Sequence, residues 1–147
     1  MKMHINKQGF TLVELMVVAV IVAILASVAI PLMTANKKRA MATEAEAGLG
    51  HVRTALRASF AQTSAYNVDL DGGAIAVGAI AGAVPGISVG DLDGRYFDDT
   101  AYTITAIGAN TYSIQASGTA STAPQAADVA GVVIALDDAG AFTRTGL

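Results

Sequence analysis

The chain has 147 residues, room for one domain, of which 53% are apolar and only 14% charged. A mean hydropathy of +0.52 excludes a disordered chain, and the absence of cysteine excludes disulfides, zinc–thiolate sites and a cysteine nucleophile. The formal net charge of −3 gives no general reason to expect nucleic-acid binding.

Residues 1–9 are short and polar and carry Lys2 and Lys7. From Leu15 to Ile30 every residue except Ser27 is apolar, and Glu14 is the only charge between Phe10 and Asn36. The 24 residues from Phe10 to Met33 would make roughly 36 Å of helix at about 1.5 Å per residue. That exceeds a hydrocarbon core of about 30 Å, so residues 10–33 read as a transmembrane segment.

The helical pattern does not stop there. Met41, Ala45, Leu49, Val52, Leu56 and Phe60 recur every three or four residues, as on one face of an amphipathic helix. Lys38, Glu46, Arg53 and Arg57 lie off this stripe, as solvated residues should. Gly48 and Gly50 each cost about 1 kcal/mol relative to Ala, so this half needs packing along its stripe. One helix is expected from about Phe10 to about Ser64. Residues 65–100, with a stretch rich in Gly and small apolar residues around Pro85, read as an irregular connection. Residues 101–147 read as a sheet, with strands at Ala101–Ile107, Thr111–Gln115, Val129–Leu136 and Ala141–Thr145. Gly108-Ala109-Asn110 and Asp137-Asp138-Ala139-Gly140 serve as hairpin turns. The fold class expected is α+β: a long N-terminal helix, transmembrane in its first half and amphipathic in its second, packed on a C-terminal antiparallel sheet.

Several residues invite a chemical reading. Glu14 is costly in an apolar helix and points either to an interfacial carboxylate or to a partner of opposite charge. Pro31 has no N–H and leaves the Ser27 carbonyl unpaired, which marks a helix boundary, a kink or a place that bends in an assembly. Lys37-Lys38-Arg39 reads as a solvated turn or a lipid-headgroup anchor. From Ala61 onward nine Asp stand against two Arg, so the C-terminal part carries −7 and lacks a basic nucleic-acid groove. Asp69-Leu-Asp71-Gly72 and Asp91-Leu-Asp93-Gly94 lack the spacing and Glu of an EF-hand loop and read as turns. Asp137 and Asp138 read as turn residues too. Gly86-Ile-Ser88-Val-Gly90 matches a nucleophile elbow, but without its strand–turn–helix setting. His51 reads as a surface or boundary side chain of the helix. No catalytic residues, no cofactor site and no metal cluster are expected.

The junction Lys7-Gln8-Gly9-Phe10-Thr11-Leu12-Val13-Glu14-Leu15, with the apolar run to Pro31, resembles the prepilin leader of type IV pilins and type II secretion pseudopilins. The resemblance implies a leader, residues 1–9, removed by a prepilin peptidase after Gly9, and N-methylation of Phe10. It implies that Glu14 pairs with the amine of a neighbouring subunit, and that residues 34–147 form the head of a filament subunit with a ladle-like shape. The C-terminal disulfide frequent in one large pilin class cannot form without cysteine, which leaves pseudopilins and cysteine-free pilins open. The expected function is a structural subunit of a type IV pilus or related filament, with self-association into a helical filament, an inner-membrane assembly platform as partner, and no enzymatic activity. Its location would be single-pass in the inner membrane before assembly and in a periplasmic or extracellular filament afterwards. The alternatives are a secretion pseudopilin, for which calcium at Asp137 and Asp138 would speak, and a minor pilin active in adhesion or DNA uptake. A rival from another class is a secreted soluble protein cut near Ser27-Val28-Ala29. The length of the apolar run, Glu14 within it and Pro31 beyond it oppose that rival.

Overall fold

A computed structural model describes residues 9–147, so all but the last residue of the expected leader, Lys2 and Lys7 included, lie outside the described residues. The chain divides into two compact units, one ending at Ala35 and one spanning Asn36–Leu147. The element order is α1 (Leu12–Thr63), β1 (Gly78–Ala79), β2 (Tyr102–Ile107), β3 (Tyr112–Ser117), β4 (Val133–Asp137) and β5 (Phe142–Thr145), with short 3₁₀ turns at Asp99–Ala101 and Ala126–Val129.

In the first unit α1 is long and apolar enough to cross a membrane, with a mean hydropathy of 2.9 over its most apolar 18 residues. Large apolar side chains from Phe10 to Met33 are exposed. Pro31 lies inside α1 rather than at its end, so the boundary reading of this residue is corrected. Two hydroxyls near it bond back to the helix backbone: Ser27 Oγ donates to the Ile24 carbonyl at 2.7 Å and Thr34 Oγ1 to the Ile30 carbonyl at 3.1 Å.

In the second unit the stripe becomes the core. Met41, Ala45, Leu49, Val52 and Leu56 are buried, joined by Ala42 and Ser59. Phe60 is only partly buried and stacks on Tyr66, with ring centroids 4.4 Å apart. Each fully buried Leu or Val contributes about 1.5–3 kcal/mol relative to exposure, which offsets the helix-breaking tendency of Gly48 and Gly50. α1 ends at Ser64, which adopts φ 59° and donates its N–H to the Phe60 carbonyl at 2.8 Å.

The sheet is antiparallel, with strands in sequence order. β3 alternates between buried Tyr112, Ile114 and Ala116 and half-buried Ser113, Gln115 and Ser117. Tyr102, Ile104, Ile134 and Leu136 of the neighbouring strands join the same core as the α1 stripe. The register slips between Ile104 and Ala106, where Thr105 Oγ1 donates to the Ser113 carbonyl at 3.0 Å.

Two expectations change. The connection holds a two-residue strand, Gly78–Ala79, which makes a fifth strand beside β2. The run Val129–Leu136 is not one strand: Val129 closes a 3₁₀ turn and β4 starts at Val133. Gly131, at φ 82°, breaks the extended backbone between them.

Gly48 has a packing role. A Cβ built there would lie 2.6 Å from Cζ of Tyr102. Gly50, two residues on and so on the opposite side of the helix, has nothing within 4 Å of such a Cβ. Gly48→Ala should therefore lower stability by about 1–3 kcal/mol through overpacking. Gly50→Ala should raise it by about 0.5–1 kcal/mol through helix propensity alone. Denaturant unfolding of both variants in detergent checks this opposite sign.

Candidate processing and assembly site at the start of the helix

Gly9 and Phe10 lie just before α1, and Phe10 is 83% exposed. α1 begins at Leu12 because Thr11-Leu12-Val13-Glu14 closes as a capping box. Thr11 N–H donates to Glu14 Oε2 at 2.8 Å and Thr11 Oγ1 donates to the same oxygen at 2.9 Å. Glu14 N–H in turn donates to Thr11 Oγ1 at 3.2 Å. The carboxylate thus satisfies a backbone donor that would otherwise be orphaned, at the helix end where negative charge is favoured. Sequence reasoning named Glu14 and missed Thr11; the signal was the T-x-x-E spacing itself.

The candidate residues Asp69, Asp137, Asp138, Ser88 and His51 belong to the second unit. Asp137 Oδ1 accepts the Ala141 N–H at 2.7 Å and closes the β4–β5 turn, while Asp138 donates its N–H to the Tyr112 carbonyl at 3.1 Å. Asp69 Oδ1 accepts the N–H groups of Asp71 and Gly73 at 2.9 and 2.6 Å. Among the described residues no three His, Cys, Asp or Glu side chains form a metal cluster. Ser88 sits in the connection, with its N–H on Asp91 Oδ2 at 2.7 Å, and His51 is exposed on α1.

Three carboxylates hold the second unit together: Glu44 and Asp98, to which sequence reasoning assigned no role, and Glu46, read there as a solvated residue off the stripe. Glu44 Oε1 accepts the N–H groups of Tyr96 and Phe97 at 2.8 and 2.7 Å, tying the connection to α1. Glu46 Oε1 accepts Arg144 Nε at 2.5 Å, tying β5 to α1. Asp98 accepts Thr100 Oγ1 at 2.6 Å, Ser121 Oγ at 3.3 Å, and both the N–H and the hydroxyl of Thr122. Burial pushes Asp98 up, but these hydrogen bonds outweigh it and hold the carboxyl below the ordinary 3.8. Arg53, expected off the stripe in solvent, has its Nε buried without a partner, while its Nη2 donates to the Ala139 carbonyl at 3.4 Å. Arg53 lies between a loop and the helix because the β4–β5 turn folds over it.

Residues 5–30 match the family model described as the prokaryotic N-terminal methylation motif. The chain therefore carries that motif, and its start resembles those of type IV pilins and pseudopilins. No curated protein matches the sequence. Among solved structures, the non-core minor pilin PilV of Neisseria meningitidis aligns with a TM-score of 0.49 at 16% identity, over 76% of this chain and 90% of that one.

Two predictions follow from the carboxylates. Glu44→Ala strips the acceptor from two backbone N–H groups and should cost about 1–3 kcal/mol, with faster hydrogen exchange at Tyr96 and Phe97. Asp98 has a depressed folded-state pKa, so its contribution is present above about 3.8 and is lost as pH falls through the lower folded value. Asp98→Asn should flatten that acid limb of a melting-temperature profile and lower stability at neutral pH.

Proposed function

We propose that this chain is a structural subunit of a type IV pilus or a closely related filament. A prepilin peptidase removes the leader after Gly9, and Phe10 becomes an N-methylated first residue. The subunit waits as a single-pass protein of the inner membrane, its head outside, and an assembly platform then moves it into a helical filament. Filaments of this sort grow by heterologous contacts that do not close into a ring, and they need an apolar core but no active site.

The observation that carries this reading is the methylation motif at residues 5–30, which extends over the part of α1 whose large apolar side chains, up to Met33, are exposed. A folded head with its own core completes the subunit. Glu14 supports assembly because one of its carboxylate oxygens is already held by Thr11 while the group retains its charge for the amine of a neighbour.

The test is the N-terminal peptide and intact mass of the protein from its native membrane or from sheared filaments. A chain of 138 residues beginning at N-methyl-Phe10, nine fewer than the full 147, is expected; a start near Ile30 overturns the reading. Glu14→Gln separates the two uses of this side chain. Glutamine can still close the capping box, but it cannot neutralise an amine. Filament yield should collapse in Glu14→Gln as fully as in Glu14→Ala, measured by shearing and electron microscopy. Wild-type yield from Glu14→Gln would reduce the residue to a helix cap.

A further inference from the structure

In the second unit an open cleft of about 480 Å³ is lined by Lys37, Arg95, Tyr96, Pro124, Gln125 and Asp128, among others. Beyond Ala61 the chain is acidic throughout, with Arg95 and Arg144 as its two cations. Arg144 is engaged by Glu46. Among the described residues Arg95 has no carboxylate partner. It is nevertheless held in place. Its Nε donates to Gln125 Oε1 at 2.6 Å, and Gln125 N–H donates to the Arg95 carbonyl at 3.1 Å. Its guanidinium carbon lies 5.7 Å from the centre of the Tyr96 ring. With Nε occupied, the two Nη groups remain for an anion, in the planar fork that suits a phosphate.

Lys37 reaches the same cleft and pairs with Asp128 at 3.5 Å, both side chains being well exposed at 62% and 46%. An exposed pair at that length is weakly held and exchanges readily for another anion. Lys37 also follows the apolar run closely, four residues after Met33. Four residues cover about 6 Å as helix and at most about 14 Å fully extended. The headgroup layer is about 5–8 Å deep on each side of the hydrocarbon. Lys37, at one wall of the cleft, therefore lies at or next to the depth of lipid phosphates whenever residues 10–33 span a bilayer.

We propose that this cleft binds the phosphate of an anionic phospholipid headgroup, with Arg95 and Lys37 as its cations. This rests on the membrane-anchored reading above. The lipid phosphate displaces Asp128 from Lys37 and receives the free Nη groups of Arg95. The site gives the waiting subunit a specific hold on the surface of the bilayer, besides the general attraction of Lys38 and Arg39.

The full chain is reconstituted in nanodiscs of phosphatidylcholine with and without phosphatidylglycerol, and retained lipid is counted by native mass spectrometry after release into detergent. Phosphatidylglycerol should be retained over phosphatidylcholine. Arg95→Gln should lower that retention about five-fold, the effect of one basic residue near a charged bilayer surface. Asp128→Asn should raise it, and Arg57→Gln, exposed and remote in sequence, should leave it unchanged. Equal retention by the Arg95→Gln, Lys37→Gln double variant overturns the proposal. So does an Arg95-dependent rise in melting temperature with millimolar inorganic phosphate alone, which would make this a site for free phosphate. Failure of the chain to enter nanodiscs at all overturns the anchored reading itself and is distinct from insertion without headgroup preference.

Discussion

The structure turns on burial that the chain can provide for only part of its long helix. Beyond Asn36 the apolar stripe of α1 is covered by the sheet and by the connection, and Leu49, Val52 and Leu56 are fully buried. Before Met33 the apolar side chains have no such cover, although they are larger in number and just as hydrophobic. Each would contribute about 1.5–3 kcal/mol on full burial. Left in water, a surface of that size drives association. Lipid, or another apolar helix, would cover it.

Polar groups in this part of the chain are correspondingly few and internally satisfied. Ser27 and Thr34 return their hydroxyls to the helix backbone. Glu14 is bonded to Thr11 twice. In the head the polar side chains work differently, as ties between segments distant in sequence. Glu44 and Glu46 connect α1 to the connection and to β5, and Asp98 connects the 3₁₀ turn at Asp99–Ala101 to the loop at Ser121 and Thr122. An irregular stretch such as residues 64–101 can then hold a fixed path with little secondary structure. Ile75, Ile80, Val84, Ile87, Leu92 and Phe97 enter the core, while Leu70, Val77 and Val89 stay exposed.

Much of this was legible in the sequence, and the reason is periodicity. α1 and its buried stripe follow from spacings of three and four, and four strands follow from alternation bounded by turn residues. β1 was not legible because two residues, Gly78 and Ala79, carry no period. The start of β4 was misread because Val129 and Val132 are apolar and buried without being extended strand, a distinction composition does not make. Glu14 was legible as an anomaly, yet its capping partner Thr11, three residues before it, was not read from the T-x-x-E spacing. The role of Glu44 was not legible at all, since backbone N–H groups leave no mark in a sequence. Nor was the closeness of Gly48 to Tyr102, where propensity suggested only a weak point in the helix.

The capping box has a consequence for the order of events. The donor that Glu14 accepts from is the backbone N–H of Thr11, and that N–H belongs to the peptide bond between Phe10 and Thr11. A cut after Gly9 breaks the preceding bond and leaves this one whole. The first turn of the helix is therefore closed before such a cut and would stay closed after it. Cleavage would add a positive charge at residue 10 while leaving the shape of the stem alone, so folding of the stem and any licensing for assembly would be separable steps.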